Sequence, residues 1–265
     1  MPQRTKQKSD DKIFSEIARQ YIVPLMWKSI DGGPRSGTMF FYHTGKRVIG
    51  ITAHHVYKKY TEDKKNNVKL LCNVNNNHFD LKSRIIDLNE QLDLITFNFK
   101  TEEVTSLINT QIFHSDGRWP PQSPKEHECV FFAGFPGQDR KITGSLVRFH
   151  PYFIACFVHG VSDKYITCQI DRSKMEKVDG MNFPPEGHDQ AGVSGAPLFF
   201  PCYTSDKSDL MLLKLAGIIY ESYSINNGNT YIIYATKIDK ILSDGTIDNS
   251  LCITPKRESP FPNVT

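Results

Sequence analysis

The sequence predicts an all-β protein of two antiparallel six-stranded β-barrels, with a short helix near each end. Short apolar runs bounded by Gly, Asn and Pro recur along most of the chain. They fall into two sets of roughly six, divided by one long polar connector. The strand and helix patterns do not alternate as a parallel α/β sheet requires.

In chain order, Lys12 to about Trp27 carries Ile13, Phe14, Ile17, Ala18, Tyr21 and Ile22 at helical spacing. Ser9 or Asp10 can cap it and Pro24 can break it, which predicts an amphipathic helix docked on the main body. From Ser36, GTMFFYHTGKRVIGITAHHV reads as two strands around a turn at Thr44-Gly45-Lys46. VKLLCNV, HFDLKSRIIDL and LDLITFNF follow as further strands. Residues 101–126, rich in Pro, Ser and charge, read as a surface connector. Strand texture resumes with CVFFAGFPG, KITGSLVRF, YFIACFV and KYITCQI, then GAPLFF, LLKLAGIIYES and TYIIYATKI. KIDKILSDG is the expected C-terminal helix. The domains expected are a helical extension over 1–30, a first barrel over 31–115, a second over 116–245 and a tail over 246–265.

The 265 residues are 39% hydrophobic and 23% charged, which supports a sizeable core and excludes wholesale disorder. A net charge of +3, with basic residues only in short clusters such as Lys58-Lys59 and Lys64-Lys65, gives no stripe for nucleic acid. No apolar run approaches the roughly 20 residues of a membrane span, and the polar start reads as no secretory leader. The six cysteines show no metal-ligand or disulfide spacing, so neither a cofactor nor a metal is expected, and a cytoplasmic location is. His127 and Cys129 share one side of a strand, but two ligands are too few for a metal.

Acyl transfer by serine needs a hydroxyl beside a base, an acid that fixes the base's tautomer, and N–H donors aimed at the developing oxyanion. Three segments supply these parts. In Gly50-Ile51-Thr52-Ala53-His54-His55-Val56, histidines follow an apolar strand; a histidine there is more often structural, and only one of the two can face a cleft. In Gln91-Leu92-Asp93-Leu94-Ile95, an aspartate directly precedes a strand and needs a partner if buried; alone it reads as a turn or cap residue. In Gly192-Val193-Ser194-Gly195-Ala196-Pro197, glycines flank a serine at the apex of a tight loop before an apolar strand. This last segment is the most specific signal in the chain.

Together the segments resemble the trypsin/chymotrypsin-like serine peptidases, over roughly Ser36 to Leu242. TAHHV matches the histidine element, DLITF the acid element and GVSGAP the nucleophile element, in that family's order. Ser36–Phe40, Gly134–Gly137 and Ala216–Ser222 are lesser matches. The resemblance implies a chymotrypsin-like double barrel and a serine endopeptidase acting on polypeptide. His55, Asp93 and Ser194 would be the triad, and the N–H groups of Gly192 and Ser194 the oxyanion hole. It also places His188, Tyr220, Glu221 and Ser222 in the substrate pocket.

The departures point to an intracellular bacterial- or virus-type branch. Val193 stands where zymogen-activated relatives carry aspartate, and an activating Ile-Val-Gly-Gly-type start is missing, so activation by N-terminal cleavage is not expected. Val56 replaces a cysteine of secreted relatives. His188 at the pocket base disfavours a Lys or Arg residue there, although Asp189 lies one position away, and an acidic or polar residue is expected at that position. Two other readings compete: a catalytically silent binding or scaffold module, and a protease held inactive until a regulatory domain or protein partner assembles the oxyanion hole. An esterase elbow fits less well, because the triad order differs and a strand follows the serine.

Overall fold

The computed structural model describes residues 16, 18–67, 69–74, 77–107, 110–114, 119–144, 146–174, 191–203, 211–225 and 229–250. The first unit contains β1 (Ile22–Lys28), β2 (Pro34–His43), β3 (Val48–Ala53), helix α1 (His54–Asn66), β4 (Cys72–Val74), β5 (Asn77–Phe79), β6 (Ile85–Asn89), β7 (Leu94–Phe99), the short helix α2 (Thr101–Thr105) and β8 (Phe113–His114). Its strands form one sheet in the order β5-β4-β1-β2-β3-β7-β6, with β8 joined in parallel to β2. Among the described residues the two ends of this sheet do not pair, so the first unit is an open half-barrel rather than the closed barrel expected. The terminal strands β4 and β5 are only three residues each.

The second unit contains β9 (Cys129–Gly134), the hairpin β10 (Lys141–Thr143) and β11 (Leu146–Arg148), β12 (Tyr152–Val161), β13 (Tyr165–Asp171), β14 (Pro197–Tyr203), β15 (Met211–Ile225) and β16 (Thr230–Lys237). Six of these close a barrel in the order β12-β13-β16-β15-β14-β9, as expected.

Two further expectations are corrected. Residues Ile22 to Lys28 form a strand, not the end of a helix: they pair with β2 from Ile22↔Phe40 to Lys28↔Pro34. On the other edge, among the described residues, Leu25 and Met26 pair with β4, so Pro24 sits where an N–H is not required on both sides. The expected C-terminal helix is only a 3₁₀ turn, Ile238–Lys240. Ile241 then bridges to Ile247, so the backbone groups of this segment are satisfied by sheet-like pairing.

Side-chain alternation explains the barrel. On β13 the buried residues are Ile166, Cys168 and Ile170, pointing inward at every second position. On β9, Val130 and Phe132 fill the barrel, while Phe131 and Ala133 face outward onto the first unit. That is why CVFFAG reads as a continuous apolar run. Phe131, Phe199, Phe113, Phe40 and Tyr42 form a core shared by both units. Each such fully buried side chain contributes about 1.5–3 kcal/mol, so the two units are fixed against each other.

Candidate active site

Strand register brings the histidine and the acid together. β3 pairs with β7 through Ala53↔Leu94, so the end of one strand lies beside the start of the other. His54 and His55 open α1 immediately after Ala53, and Asp93 immediately precedes β7. The His54 N–H donates to the Asp93 carbonyl at 3.1 Å. Ala53 has no side chain to cap α1, and the Asp93 carboxylate takes that place by accepting the His55 N–H at 2.7 Å. Its other oxygen lies 2.7 Å from His55 Nδ1. A carboxylate accepts, so Nδ1 is the donor, and in the neutral imidazole this tautomer leaves the Nε2 lone pair free. Asp93 has φ of 51°, a left-handed conformation that aspartate tolerates better than most residues.

This contact resolves which of the adjacent histidines meets the acid. His54 is buried, and burial lowers its pKa despite the opposing charges of Glu90 and Asp93. Its ring is therefore neutral at neutral pH.

The serine loop is held from both units. Gly195 N–H donates to the Ile219 carbonyl at 2.7 Å, and Thr38 N–H to the Ser194 carbonyl at 3.0 Å. Thr38 Oγ1 donates to the Gly192 carbonyl at 2.8 Å and accepts the Phe135 N–H at 3.1 Å. Thr52 Oγ1 donates to the Thr38 carbonyl at 2.6 Å. The Ala191 carbonyl accepts from Gly137 N–H, and the Val193 carbonyl from Ala196 N–H. In a trans peptide the N–H points opposite to the C=O, so the Gly192 and Ser194 N–H groups are turned away from those partners. Gly192 and Gly195 have φ of 103° and 90°, and a Cβ on Gly192 would lie 2.6 Å from the Phe135 carbonyl oxygen.

The acid loop is held in the same way. Thr236 Oγ1 on β16 donates to the Leu92 carbonyl at 2.6 Å, and the Tyr165 hydroxyl on β13 donates to the Gln91 carbonyl at 2.9 Å.

His55, Asp93 and Ser194 line one cleft of about 470 Å³. Tyr220, Glu221 and Ser222 of β15 form its wall on the second unit, and His54, Lys58 and Glu90 contribute from the first. The Ser194 hydroxyl donates to the Tyr220 carbonyl at 3.5 Å. His188 and Asp189 lie outside the described residues. Among the described residues, no group of three His, Cys, Asp or Glu side chains could hold a metal, and no helix is long and apolar enough to cross a membrane.

Sequence reasoning missed Thr38, Thr52 and Thr236, which place the loops, because a threonine within a strand carries no local signal. Lys58 and Glu90 were also missed. Lys58 lies one turn after His54 on α1 and would have been found had that helix been recognised.

No protein-family model matches the sequence, and no curated protein does. Solved structures do show likenesses. The active form of the Rv3671c protease from M. tuberculosis is 12% identical with a TM-score of 0.47, over 86% of this chain and 80% of that one. A serine endoprotease from Yersinia pestis is 13% identical with a TM-score of 0.48, over 84% of this chain and 62% of that one. Tobacco etch virus protease in complex with product is 15% identical with a TM-score of 0.43, over 83% and 73%.

Proposed function

We propose that this chain is a serine endopeptidase of the chymotrypsin-like type. One observation carries the reading: an Asp93-oriented His55 imidazole shares a cleft with Ser194, and the Asp93 loop and the Ser194 loop are each braced by the other unit. In this reading Ser194 Oγ attacks the scissile carbonyl carbon while His55 Nε2 takes its proton. The tetrahedral oxyanion is met by the N–H groups of Gly192 and Ser194, whose directions suit that role. Collapse breaks the C–N bond, and imidazolium gives its proton to the departing amine. The acyl ester on Ser194 is then hydrolysed: His55 takes a proton from water, hydroxide adds to the ester carbon, and the serine leaves with that proton. Asp93 holds the tautomer and stabilises the imidazolium throughout.

The edge of β15 beyond Ile219 supplies a template for the substrate backbone. Its pairing with β14 ends at Pro197↔Ile218 and the Ile219 N–H bond to Ala196, while its other edge continues on β16. A reducing compartment belongs to the same reading, with Cys72, Cys156 and Cys168 buried as free thiols.

A second reading has one observation in its favour. The Ser194 hydroxyl bonds to the Tyr220 carbonyl, and this arrangement suits a serine–histidine contact that tightens only when substrate or a partner binds. Incubating a peptide library with the wild-type chain and with Ser194→Ala tests the proposal. New termini formed only by the wild type support it, and termini formed equally by both overturn it.

A further inference from the structure

A row of tyrosines runs to the cleft wall without any part in the chemistry proposed. Tyr165, Tyr220, Tyr234 and Tyr223 contact one another in turn, with ring centroids 5.4, 6.2 and 5.8 Å apart. The hydroxyls of Tyr223 and Tyr234 hydrogen-bond at 3.1 Å. Sheet geometry sets their common face: Glu221 is paired directly with Tyr234 and lies two residues from Tyr223. This face looks onto the first unit, because Tyr220 joins that unit's core and Tyr165 and Tyr234 pack against it.

Glu221 is exposed and lines the cleft. Among the described residues it forms no ion pair, and neither does Glu90 across the cleft. Lys58, a cation in the lining, stands beside His54 on the first unit's wall. An uncompensated carboxylate beside tyrosine faces offers a cation both Coulomb attraction and the negative face of an aromatic ring. A planar guanidinium can use both at once. An anionic side chain gains neither.

We propose that Glu221, with the half-buried rings of Tyr223 and Tyr234, forms a subsite for a cationic substrate side chain, arginine or lysine, a few residues ahead of the scissile bond. The proposal rests on the peptidase reading for its register. The Tyr220 carbonyl lies 3.5 Å from Ser194 Oγ, so the residue to be acylated sits level with Tyr220. A substrate strand running antiparallel on the open edge of β15 then lays its preceding residues along Glu221 to Tyr223.

Two measurements test it. In a cleavage library, the wild type is expected to enrich Arg and Lys about tenfold at one position preceding the cut. Glu221→Gln should bring that preference near parity, and Glu221→Lys should turn it toward Asp and Glu. Separately, the Ser194→Ala protein should bind arginine-bearing peptides about tenfold more tightly than their citrulline counterparts. Equal binding of the two, or an unchanged preference in Glu221→Lys, overturns the subsite. If the wild type cleaves nothing, the peptidase reading fails, and the binding comparison alone decides the subsite.

Discussion

A single carboxylate, that of Asp93, holds His55 twice: one oxygen takes the backbone N–H at 2.7 Å and the other the imidazole Nδ1 at 2.7 Å. The first bond caps α1 and fixes where the side chain begins; the second fixes how its ring turns.

Asp93→Asn is the substitution that separates these roles. Asparagine accepts the left-handed backbone that Asp93 adopts, so the fold should survive. Its amide can donate to Nδ1 and so favours the wrong tautomer. Peptidase kcat is expected to fall by about 10⁴-fold with an unchanged circular dichroism spectrum. A loss below tenfold would contradict the assigned role of Asp93.

Thr38 ties the serine loop to both units through one hydroxyl. Thr38→Val removes both bonds and leaves the Gly192 carbonyl and Phe135 N–H unsatisfied in a buried setting. The expected cost is about 1–3 kcal/mol in denaturant unfolding, together with a fall in kcat. Thr38→Ser should retain most of both quantities. Full stability in the valine variant would show that the hydroxyl is not structural.

Gly195 has no room for a side chain. A Cβ there would overlap the Thr38 carbonyl oxygen and the Thr52 hydroxyl, and its φ of 90° is unfavourable for alanine. Gly195→Ala is expected to cost more than about 3 kcal/mol in thermal or denaturant unfolding. A change within about 0.5 kcal/mol would contradict this close approach.

Away from the cleft, Arg84, just before β6, grips both oxygens of Glu103 on α2, at 2.7 and 3.0 Å, and donates to the Asn98 carbonyl on β7 at 3.3 Å. The guanidinium holds the Glu103 carboxyl down to a pKa of about 2, below its ordinary 4.5. A depressed acid contributes stability that is complete above the unfolded-state pKa and is lost as pH falls through the folded one. Both side chains are partly exposed, so the contribution is taken as only about 1 kcal/mol at pH 7. In urea unfolding, the gap between wild type and Glu103→Gln should be present at neutral pH and close between about pH 4.5 and 2. A constant gap across that window would contradict the pairing.

What was legible in the sequence followed from local pattern. TYIIYATK and KYITCQI alternate or run apolar as paired strands must, and each lies within or across a strand of the closed barrel. The three chemical segments also stood out, since each couples an unusual residue to a strand boundary. Helix α1 was missed because its first two residues belong to a motif read as a strand end, and the stretch after it is strongly polar. Ile22 to Lys28 was misread because its apolar spacing fits a helix turn as well as a strand. Its pairing with β2 decided the matter, and pairing is not a local property. Closure of the sheets depends likewise on which distant edges meet. The threonine braces that position the site are long-range hydrogen bonds, such as that between Thr236 and Leu92, and leave no periodic trace.

The central claim is that Ser194 is a nucleophile activated by His55. Labelling with a fluorophosphonate probe, read by intact mass and peptide mapping, tests it most directly. One phosphonyl adduct on Ser194 is expected in the wild type, with no adduct in Ser194→Ala and a large loss in His55→Ala. A folded wild-type protein that takes up no probe, or takes it up equally without His55, would contradict it.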